Sequence, residues 1–266
     1  MTTTPVYRFN SVILRAPSRS IVNGLRAVDT GNPTYEGVKA EHEAYITALT
    51  DAGCEVTLLP ALEEFPDSVF VEDPAQVFSE GAVILRPGAE TRMHETQHIA
   101  PVLREKFSTV LELAEGGYAD GGDILTTPDQ VMIGLSARTD RKGAEALQDC
   151  LTQLGRKSSI VATPEGVLHF KTDCSLVGDD LVLSTGRLAA SGVFAGLRTL
   201  IVPEGEEAAA NALRVNDVVL VGKTFPRTID LLTAAGLTVV AIDTTQIGKV
   251  DAGLSCMSLR WFDPKK

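Results

Sequence analysis

A repeat of short apolar runs, each preceded by a tight polar turn, constrains the fold of this chain more than any other feature. The turns and runs lie in "SEGAVILRPG", "TPDQVMIGLS", "VGDDLVLSTG" and "RVNDVVLVGK", which begin at Ser79, Thr127, Val177 and Arg214. A polar turn followed by a short β-branched run is typical of a β-strand that follows a hairpin. The starts are spaced by roughly 35 to 50 residues, a range that indicates an internal structural repeat.

A second pattern alternates with the first one. The segments "EAYITALTDAGCEVTLLP", "GAEALQDCLTQLGRKSSIVATP" and "TIDLLTAAGLTVVAID" end at Pro60, Pro164 and Asp243. Each predicts an amphipathic helix that stops at Gly and is followed by a strand. "HIAPVLREKFSTVLEL", from His98, is a variant without that Gly. The predicted unit is strand, turn, strand, helix and strand, and the copy around residues 181–203 is the weakest.

The two ends of the chain supply the parts that the repeat lacks. The last predicted strand, 255–261, has no helix after it, and the first, 11–14, has no hairpin partner before it. Pairing these two strands closes a ring of five modules, and radial repetition also protects the sheet edges. No Pro/Ser-rich linker or change of composition interrupts the repeat, so residues 1–266 are predicted to form one α/β domain.

Composition and charge exclude several classes of function. The formal net charge of −11 disfavours nucleic acid and anionic membranes as partners, whereas a cationic small molecule is compatible with it. The four cysteines are widely spaced, which disfavours a zinc site or a disulfide framework and favours a cytoplasmic location. No motif indicates a metal or an organic cofactor, and neither a signal peptide nor a membrane span is predicted. A homodimer is allowed, but no segment indicates one.

Polar residues recur where each predicted module begins. If equivalent strand starts face the ring axis, these residues converge at one place. They are Asp67, Glu72 and Asp73 in module two, Asp120 and Asp123 in module three, His169 in module four, Asn211 in module five, and Cys256 on the closing strand.

A converging set of this kind permits nucleophilic chemistry at a cationic substrate. Cys256, His169 and Asp120 supply a thiol, an imidazole that exchanges its proton, and a carboxylate that orients the imidazole. Glu72 and Asp73 provide an anionic wall suited to a guanidinium group.

Each of these residues also has a structural interpretation that the sequence leaves open. Cys256 can be an inert core thiol, His169 a hydrogen-bonded core histidine, and the "DGGD" of Asp120 to Asp123 only a tight turn. His42, His94 and His98 stand in polar contexts and are predicted to lie on the surface.

Five motifs, in this order, resemble one known family. "FVEDPAQVF", "DGGDIL", "IGLSARTDRKGAE", "LHFKTDCS" and "VDAGLSCMS" look like those of the dimethylarginine dimethylaminohydrolases in the pentein, or guanidino-group-modifying, superfamily. The opening "LRAPSRSIVNGL" is also similar. The resemblance implies a five-bladed pseudo-symmetric α/β propeller of ββαβ modules, in agreement with the predicted ring. It further implies hydrolysis of Nω-methylated arginine to citrulline and a methylamine through a thiouronium intermediate, without a cofactor.

The resemblance assigns a role to individual residues. It makes Cys256 the nucleophile, His169 the general acid/base and Asp120 the carboxylate that orients the imidazole, with Asp123 as the alternative. Some bacterial members of the family have Glu where this chain has Asp120. The substrate-binding residues that it implies fall into three groups: Glu72 and Asp73 for the guanidinium, Arg92 and Arg138 for the α-carboxylate, and Asp67 with the main chain of Val250 and Leu25 for the α-amino group.

Two further features bear on the choice of substrate. The loop from Ser18 to Leu25 is expected to act as a lid over the site. Arginine deiminases resemble this layout but have an acid two residues after the histidine, where this chain has Lys171. That difference favours methylated arginines, while plain arginine or another guanidino compound is the alternative substrate. A binding protein without turnover is disfavoured because it has no need of a nucleophile.

Overall fold

The computed structural model describes residues 5–27 and 29–266, which contain five three-stranded sheets that follow one another along the chain. The strands are β1 (Ser11–Arg15), β2 (Glu55–Leu59), β3 (Ala75–Phe78), β4 (Gly81–Ile84), β5 (Val110–Glu112), β6 (Ile124–Thr126), β7 (Val131–Leu135), β8 (Ser158–Ala162), β9 (Cys174–Leu176), β10 (Leu181–Ser184), β11 (Arg198–Ile201), β12 (Leu213–Val215), β13 (Val218–Gly222), β14 (Thr238–Ile242) and β15 (Leu259–Trp261). The α-helices are α1 (Tyr35–Asp51), α2 (Thr96–Lys106), α3 (Arg141–Gln153), α4 (Gly186–Ala190) and α5 (Pro226–Ala234). Turns of 3₁₀-helix cover Arg19–Asn23, Glu90–Glu95, Gly121–Asp123, Phe170–Thr172, Glu207–Ala210, Ile247–Val250 and Ser255–Met257.

Every sheet has the same arrangement of strands. The middle strand pairs antiparallel with one neighbour and parallel with the other, as β4 does with β3 and β5. The parallel partner follows a helix, because two parallel strands need a crossover between them. In the first sheet β1 pairs antiparallel with β15, so that Ser11 lies opposite Trp261. The predicted ring of five ββαβ modules, closed by pairing of its two ends, is therefore confirmed.

The antiparallel partners form the inner wall of the ring. Contacts join β15 to β3, β6 to β9, and β9 to β12, so these strands lie side by side around the axis. The middle strands behind them are almost entirely buried; β1, β4 and β10 have no exposed residue. Apolar side chains of neighbouring modules pack together behind this wall, which fixes where each inner strand begins.

The helices begin and end at the signals that the sequence contains. The side chains of Thr34 and Asp140 cap α1 and α3 by accepting N–H groups from the first turn. After α1, α3 and α5 the chain reverses at Gly53, Gly155 and Gly236, all with positive φ, as the Gly-stop pattern predicts. The weakest predicted copy has the shortest helix, α4, with five residues. None of the helices in residues 5–27 and 29–266 is long and apolar enough to cross a membrane.

The closing strand is shorter than the sequence predicts. Residues 255–261 were expected to form one strand, but Ser255–Met257 is a 3₁₀ turn and β15 starts only at Leu259. The Arg260 guanidinium accounts for this difference, since it donates to the carbonyl oxygens of Ser255 (2.9 Å) and Ser258 (2.6 Å) and so satisfies them outside a β ladder. The turn places Cys256 at the mouth of the inner wall.

His42 is the histidine whose environment differs from the predicted one. It was expected on the surface, yet it is only 2% exposed. It lies on the face of α1 that also contains Val38, Tyr45 and Leu49, and the spacing of these residues is that of one buried helical stripe. Burial, only partly offset by a hydrogen bond to the Arg15 backbone, lowers the pKa of His42 to about 4.

This burial makes the protein sensitive to acid. Between pH 6.5 and 4 the unfolded chain binds a proton at His42 that the folded chain does not, so stability falls as the pH falls through this window. At pH 5 this one group lowers the free energy of unfolding by about 2 kcal/mol relative to pH 8. We expect His42→Leu to lose less stability over that interval than the wild type in urea unfolding. The exposed His94→Gln is the control, and an equal loss in all three proteins would contradict the assignment.

Candidate active site

The residues at the starts of the inner strands converge at one end of the ring. Asp73, Asp120 and His169 precede three neighbouring inner strands, and their polar atoms lie within 4.8 Å of one another. Asn211 precedes β12, and its amide nitrogen lies 3.9 Å from the sulfur of Cys256. The topology of the ring thus brings together side chains that are far apart in the sequence.

A cavity of about 140 Å³ opens at this point. Eight of the ten residues predicted to form the site line it, whereas Asp120 lies behind His169 and Glu72 faces elsewhere. The eight are Leu25, Asp67, Asp73, Arg92, Arg138, His169, Val250 and Cys256. Arg26, Ala27, Phe70, Leu168, Asp251 and Ala252 complete the lining.

His169 and Asp120 form a hydrogen-bonded pair. The Nε2 atom of His169 lies 3.1 Å from Oδ2 of Asp120, whose Oδ1 accepts the Gly88 N–H at 2.7 Å. Although burial alone would lower the pKa of His169, the hydrogen bond to Asp120 and the charges of Asp73, Asp123 and Asp120 raise it to about 9. His169 is therefore an imidazolium at neutral pH, and its Nδ1 has no hydrogen-bond partner among residues 5–27 and 29–266.

Asp123, the alternative partner of the imidazole, has other contacts. Its Oδ1 accepts the Phe170 N–H at 2.7 Å, and its Oδ2 accepts the hydroxyl groups of Ser136 and Thr139, both at 2.7 Å. Burial raises the pKa of Asp123 to about 6. Asp123 fixes the backbone directly after His169, while Asp120 contacts the ring itself.

The two glycines of "DGGD" are required by close packing and do more than make a turn. A Cβ atom on Gly121 would lie 1.9 Å from the Glu72 carbonyl oxygen, and one on Gly122 would lie 2.8 Å from Cγ of His169. The Gly122 N–H also donates to Oδ1 of Asp73 at 3.1 Å. The pair of glycines lets two modules meet directly beneath the imidazole.

Cys256 differs from the other three cysteines in its exposure. Cys54, Cys150 and Cys174 are buried, and Cys256 alone of the four reaches the cavity. Burial and the charges of Glu72 and Asp73 raise the pKa of Cys256 to about 12. The sulfur is therefore a protonated thiol until a positive charge comes close to it.

Asp73 supplies a stable negative charge next to that thiol. Burial opposes its ionisation, but the positive charges of Arg92 and His169 and the hydrogen bonds from Arg92 and Gly122 lower the pKa of Asp73 below its usual value. The cavity thus has an ionised carboxylate close to a thiol and an imidazolium. An ionised carboxylate of this kind attracts a cation to the cavity.

The two arginines predicted to bind a carboxylate are not equivalent. Arg92 is buried and donates to Asp73, to both carboxylate oxygens of Glu95, and to the carbonyl oxygens of Asp67 and Phe70. The guanidinium of Arg138 has no hydrogen-bond partner among the residues that the structure describes. Arg92 therefore holds Asp73 in place, and Arg138 is the arginine available to a ligand.

We expect Arg138→Ala to raise KM at least about tenfold with a smaller change in kcat, because it removes a charge-assisted bond worth about 1.5–3 kcal/mol. Initial rates over a range of substrate concentrations measure both constants. Arg104→Gln, which alters an exposed arginine paired with Glu112, is the control. An unchanged KM in Arg138→Ala would show that Arg138 does not bind the ligand.

Glu72 does not face the cavity in which it was predicted to bind a guanidinium. Its carboxylate accepts hydrogen bonds from Lys171 (2.5 Å), Arg260 (3.0 Å) and Ser255 (3.0 Å). A buried lysine and a partly buried arginine on distant segments draw the Glu72 side chain behind Cys256, since a buried carboxylate needs paired charges. The backbone of Glu72 also contacts the segment of Cys256, where the Glu72 N–H donates to the Cys256 carbonyl at 3.1 Å.

The predicted lid loop is anchored by acids at the rim of the cavity. Oδ1 of Asp67 accepts the Leu25 N–H at 3.0 Å, and the carboxylate of Glu63 accepts the N–H groups of Arg19 and Ser20. Asp251 accepts the Ala27 N–H and has a left-handed backbone with φ of 54°.

Asp251 and Asn211 are polar residues at the site to which the sequence assigned no role. Asp251 follows Val250 directly, and no pattern singles it out. Asn211 was noted at a module start without a role; its side chain accepts the Ser255 N–H at 3.0 Å and holds the turn that presents Cys256.

Asp73, Asp120 and His169 also have the spacing of metal ligands. The same atoms already take part in the His169–Asp120 hydrogen bond and in the ion pair of Asp73 with Arg92. A protonated imidazole with a pKa of about 9 is also a poor ligand. Acid–base chemistry fits this trio better than metal binding does.

Comparison with known proteins gives consistent matches. Residues 60–201 match the model of the arginine deiminase family. The N(G),N(G)-dimethylarginine dimethylaminohydrolase of Pseudomonas aeruginosa is 39% identical over 95% of this chain and 100% of its own length. The protein of that name from Streptomyces coelicolor is 31% identical over 93% of this chain and 95% of its own.

Solved structures agree with these matches. A dimethylarginine dimethylaminohydrolase of P. aeruginosa, as a cysteine-to-serine variant complexed with citrulline, superposes with a TM-score of 0.92 at 37% identity and covers 96% of this chain and all of its own. The N-terminal domain of ArgZ, a cyanobacterial arginine dihydrolase, superposes with a TM-score of 0.84 at 18% identity over 96% of this chain and 99% of its own. The second match shows only that the fold is shared.

Proposed function

The chain belongs to the dimethylarginine dimethylaminohydrolase family, within the arginine deiminase family, and from this we propose that it hydrolyses Nω-methylated arginines to citrulline and a methylamine. The observation that best supports this function is the grouping of the Cys256 thiol, the His169–Asp120 pair and the ionised Asp73 at one cavity. The further assignment of each residue to a role rests on its position and charge.

The cavity suits the two ends of an arginine-like molecule. The carboxylate of Asp73 pairs with the guanidinium beside Cys256, and Arg138 pairs with the α-carboxylate. Asp67, with the main-chain atoms of Leu25 and Val250, faces the α-amino group. Arg92 and Glu72 support this arrangement from behind, by holding Asp73 and the segment of Cys256.

The first chemical step needs a thiolate, and the substrate itself promotes its formation. In the free protein the Cys256 thiol has a pKa of about 12. A bound guanidinium next to the sulfur lowers that pKa, because its positive charge stabilises the thiolate. The thiol proton of Cys256 leaves to solvent, and the thiolate then attacks the guanidinium carbon and forms a C–S bond. His169, protonated at neutral pH, gives its Nδ1 proton to the methyl-bearing nitrogen, and the C–N bond breaks to release the methylamine.

The second step returns the enzyme to its starting state. The release of the amine leaves a thiouronium on Cys256 and a neutral imidazole on His169. The imidazole takes a proton from a water molecule, which attacks the same carbon; the C–S bond then breaks and citrulline leaves. Asp120 holds the ring through both proton transfers and stabilises its charged form.

The substrate preference follows from the acceptors that the cavity offers. Lys171, at the position where deiminases have an acid, points into the interior and pairs with Glu72, so it adds no acceptor for a second guanidinium nitrogen. Plain arginine would leave an N–H group unpaired at a cost of about 1–3 kcal/mol. We expect mono- and dimethylated arginine to be preferred over arginine by at least about tenfold in kcat/KM.

Citrulline formation from asymmetric dimethylarginine, monomethylarginine and arginine tests this proposal. Each substrate is assayed with the wild type and with a catalytically dead cysteine variant, which measures the background. Turnover of arginine as efficient as that of the methylated forms would replace the proposal by a broader guanidino-hydrolase function. No turnover of any of the three would contradict it.

A further inference from the structure

A second cavity, larger than the one that contains Cys256, lies inside the ring. It has a volume of about 180 Å³ and lies between the inner strands, on the other side of the 3₁₀ turn that contains Cys256. Along two segments, neighbouring residues face opposite cavities: Glu72 and Ser255 line the larger one, while Asp73 and Cys256 line the smaller one. We propose that this second cavity, referred to below as the axial cavity, is a binding site for a small oxyanion.

The charge of its lining differs from that of the whole molecule. The chain has a formal net charge of −11, yet Glu72 is the only acid that lines the axial cavity within residues 5–27 and 29–266. Five cations stand against that single acid: Arg8, Arg156, Lys171, Arg214 and Arg260. Cations collected in this way from separate modules create a positive potential inside an acidic protein.

Two of the five cations are neutralised at the rim. Arg8 forms an ion pair with Asp217 (2.8 Å), and Arg156 forms one with Glu80 (2.8 Å). These pairs are partly exposed to solvent, so they do not account for the charge deeper in the axial cavity.

The three inner cations are not balanced by the protein. Lys171 and Arg260 share one carboxylate, that of Glu72. Within the part of the chain that the structure describes, Arg214 donates only to the carbonyl oxygens of Asn216 and Val177, and its guanidinium lies over the ring of Tyr7 at 4.2 Å. Three positive charges thus face one negative charge in a largely buried space, where an unpaired charge is costly.

Hydrogen-bond donors remain available around the same space. Lys171 uses one acceptor, and Nε of Arg260 and Nη2 of Arg214 have none among residues 5–27 and 29–266. The hydroxyl of Ser175, another lining residue, is buried and has no partner among those residues. Ammonium and guanidinium donors around a positive space are the groups that bind phosphate, sulfate or carboxylate.

The location of the anion can be measured on the wild-type protein. Crystals soaked in selenate, an anomalously scattering analogue of sulfate, are expected to show a peak within hydrogen-bond distance of Arg214 or Lys171. A selenate peak only in the cavity of Cys256, next to Arg138, would overturn the proposal. A map without a peak in the axial cavity would also overturn it.

Calorimetric titration with sulfate, phosphate, acetate and chloride at constant ionic strength measures the binding. We expect saturable binding of the oxyanions at one site, weaker binding of chloride, and at least about tenfold weaker sulfate binding in Arg214→Gln. Arg104→Gln makes the same change of net charge on the outer surface and is the matched control. Equal affinity in the two variants would contradict the site.

The titration can be kept independent of the hydrolase function. A cysteine variant without turnover binds sulfate with unchanged affinity if the axial cavity is the site, whatever its catalytic defect. Arg138→Ala, which removes the free cation of the other cavity, is likewise expected to bind sulfate normally. Loss of sulfate binding in Arg138→Ala would place the anion in the active site and overturn the proposal.

Discussion

Cys256→Ser is expected to lower citrulline formation by at least about four decades while the protein remains folded. The surroundings of Cys256 already raise the pKa of its thiol to about 12, so a bound cation is needed to produce the thiolate. A serine hydroxyl has a much higher pKa than a thiol, and the same cation cannot ionise it to a useful degree. Loss of activity with an unchanged circular dichroism spectrum and melting temperature is the expected result.

Cys174 provides the matched control for this experiment. It is fully buried, its Sγ donates to the Phe170 carbonyl, and burial raises its pKa well above the usual value. We expect Cys174→Ala to keep most of the activity once it is folded. Residual turnover of more than a few per cent in Cys256→Ser, or an inactive but folded Cys174→Ala, would mean that the nucleophile has been wrongly identified.

His169→Ala is expected to lower kcat by about two to four decades, the range for loss of a general acid/base. In the wild type, kcat/KM should fall as the pH rises through about 9, because His169 must be protonated to release the amine. Asp120→Asn removes the carboxylate that raises this pKa and should move the alkaline limb to lower pH. Rates of citrulline formation between pH 6 and 10 measure these effects.

The variant Asp123→Asn distinguishes the roles of Asp120 and Asp123, the two carboxylates near the His169 ring. Asp123 bonds to the Phe170 N–H and to two hydroxyl groups, so its replacement should reduce stability. It should move the alkaline limb less than Asp120→Asn does, because Asp123 acts on the imidazole by its charge alone. If Asp123→Asn moves that limb and Asp120→Asn does not, then Asp123 is the partner of the imidazole.

The fold could be predicted from the sequence because the repeat is local and periodic. Most modules have a turn, an apolar run and a Gly-stopped helix, so the same pattern can be recognised around the ring. Closure of the ring followed from the unpaired first and last strands, and β1 does pair with β15. The closing strand begins later than predicted, because the carbonyl groups of Ser255 and Ser258 are satisfied by Arg260.

The side on which each site residue lies was harder to predict. Glu72 and Asp73 are adjacent, and the sequence treats them as one anionic wall. Glu72 turns to the axial cavity because it pairs with Lys171 and Arg260, which are about a hundred or more residues away along the chain. Arg92 likewise looked like a ligand-binding arginine, but buried acids and carbonyl groups of its own module use its donors.

The environment of single polar residues was also hard to predict from the sequence. His42 has charged neighbours in sequence, and only its helical alignment with Val38 and Tyr45 indicates that it faces the core. Asp251 has a left-handed backbone, and its carboxylate accepts the N–H of Ala27, two residues beyond the lid loop. Asn211 was placed at a module start by the repeat, although its contact with the Cys256 turn required the structure.

The covalent step at Cys256 is the central claim, and mass spectrometry of acid-quenched turnover mixtures tests it most directly. With asymmetric dimethylarginine as substrate, the peptide that contains Cys256 should gain the mass of the substrate minus dimethylamine, and the gain should be absent from Cys256→Ser. That result would show the C–S bond formed and the C–N bond broken on one residue. A modification on Cys54, Cys150 or Cys174, or citrulline formed by Cys256→Ser at the wild-type rate, would contradict the account.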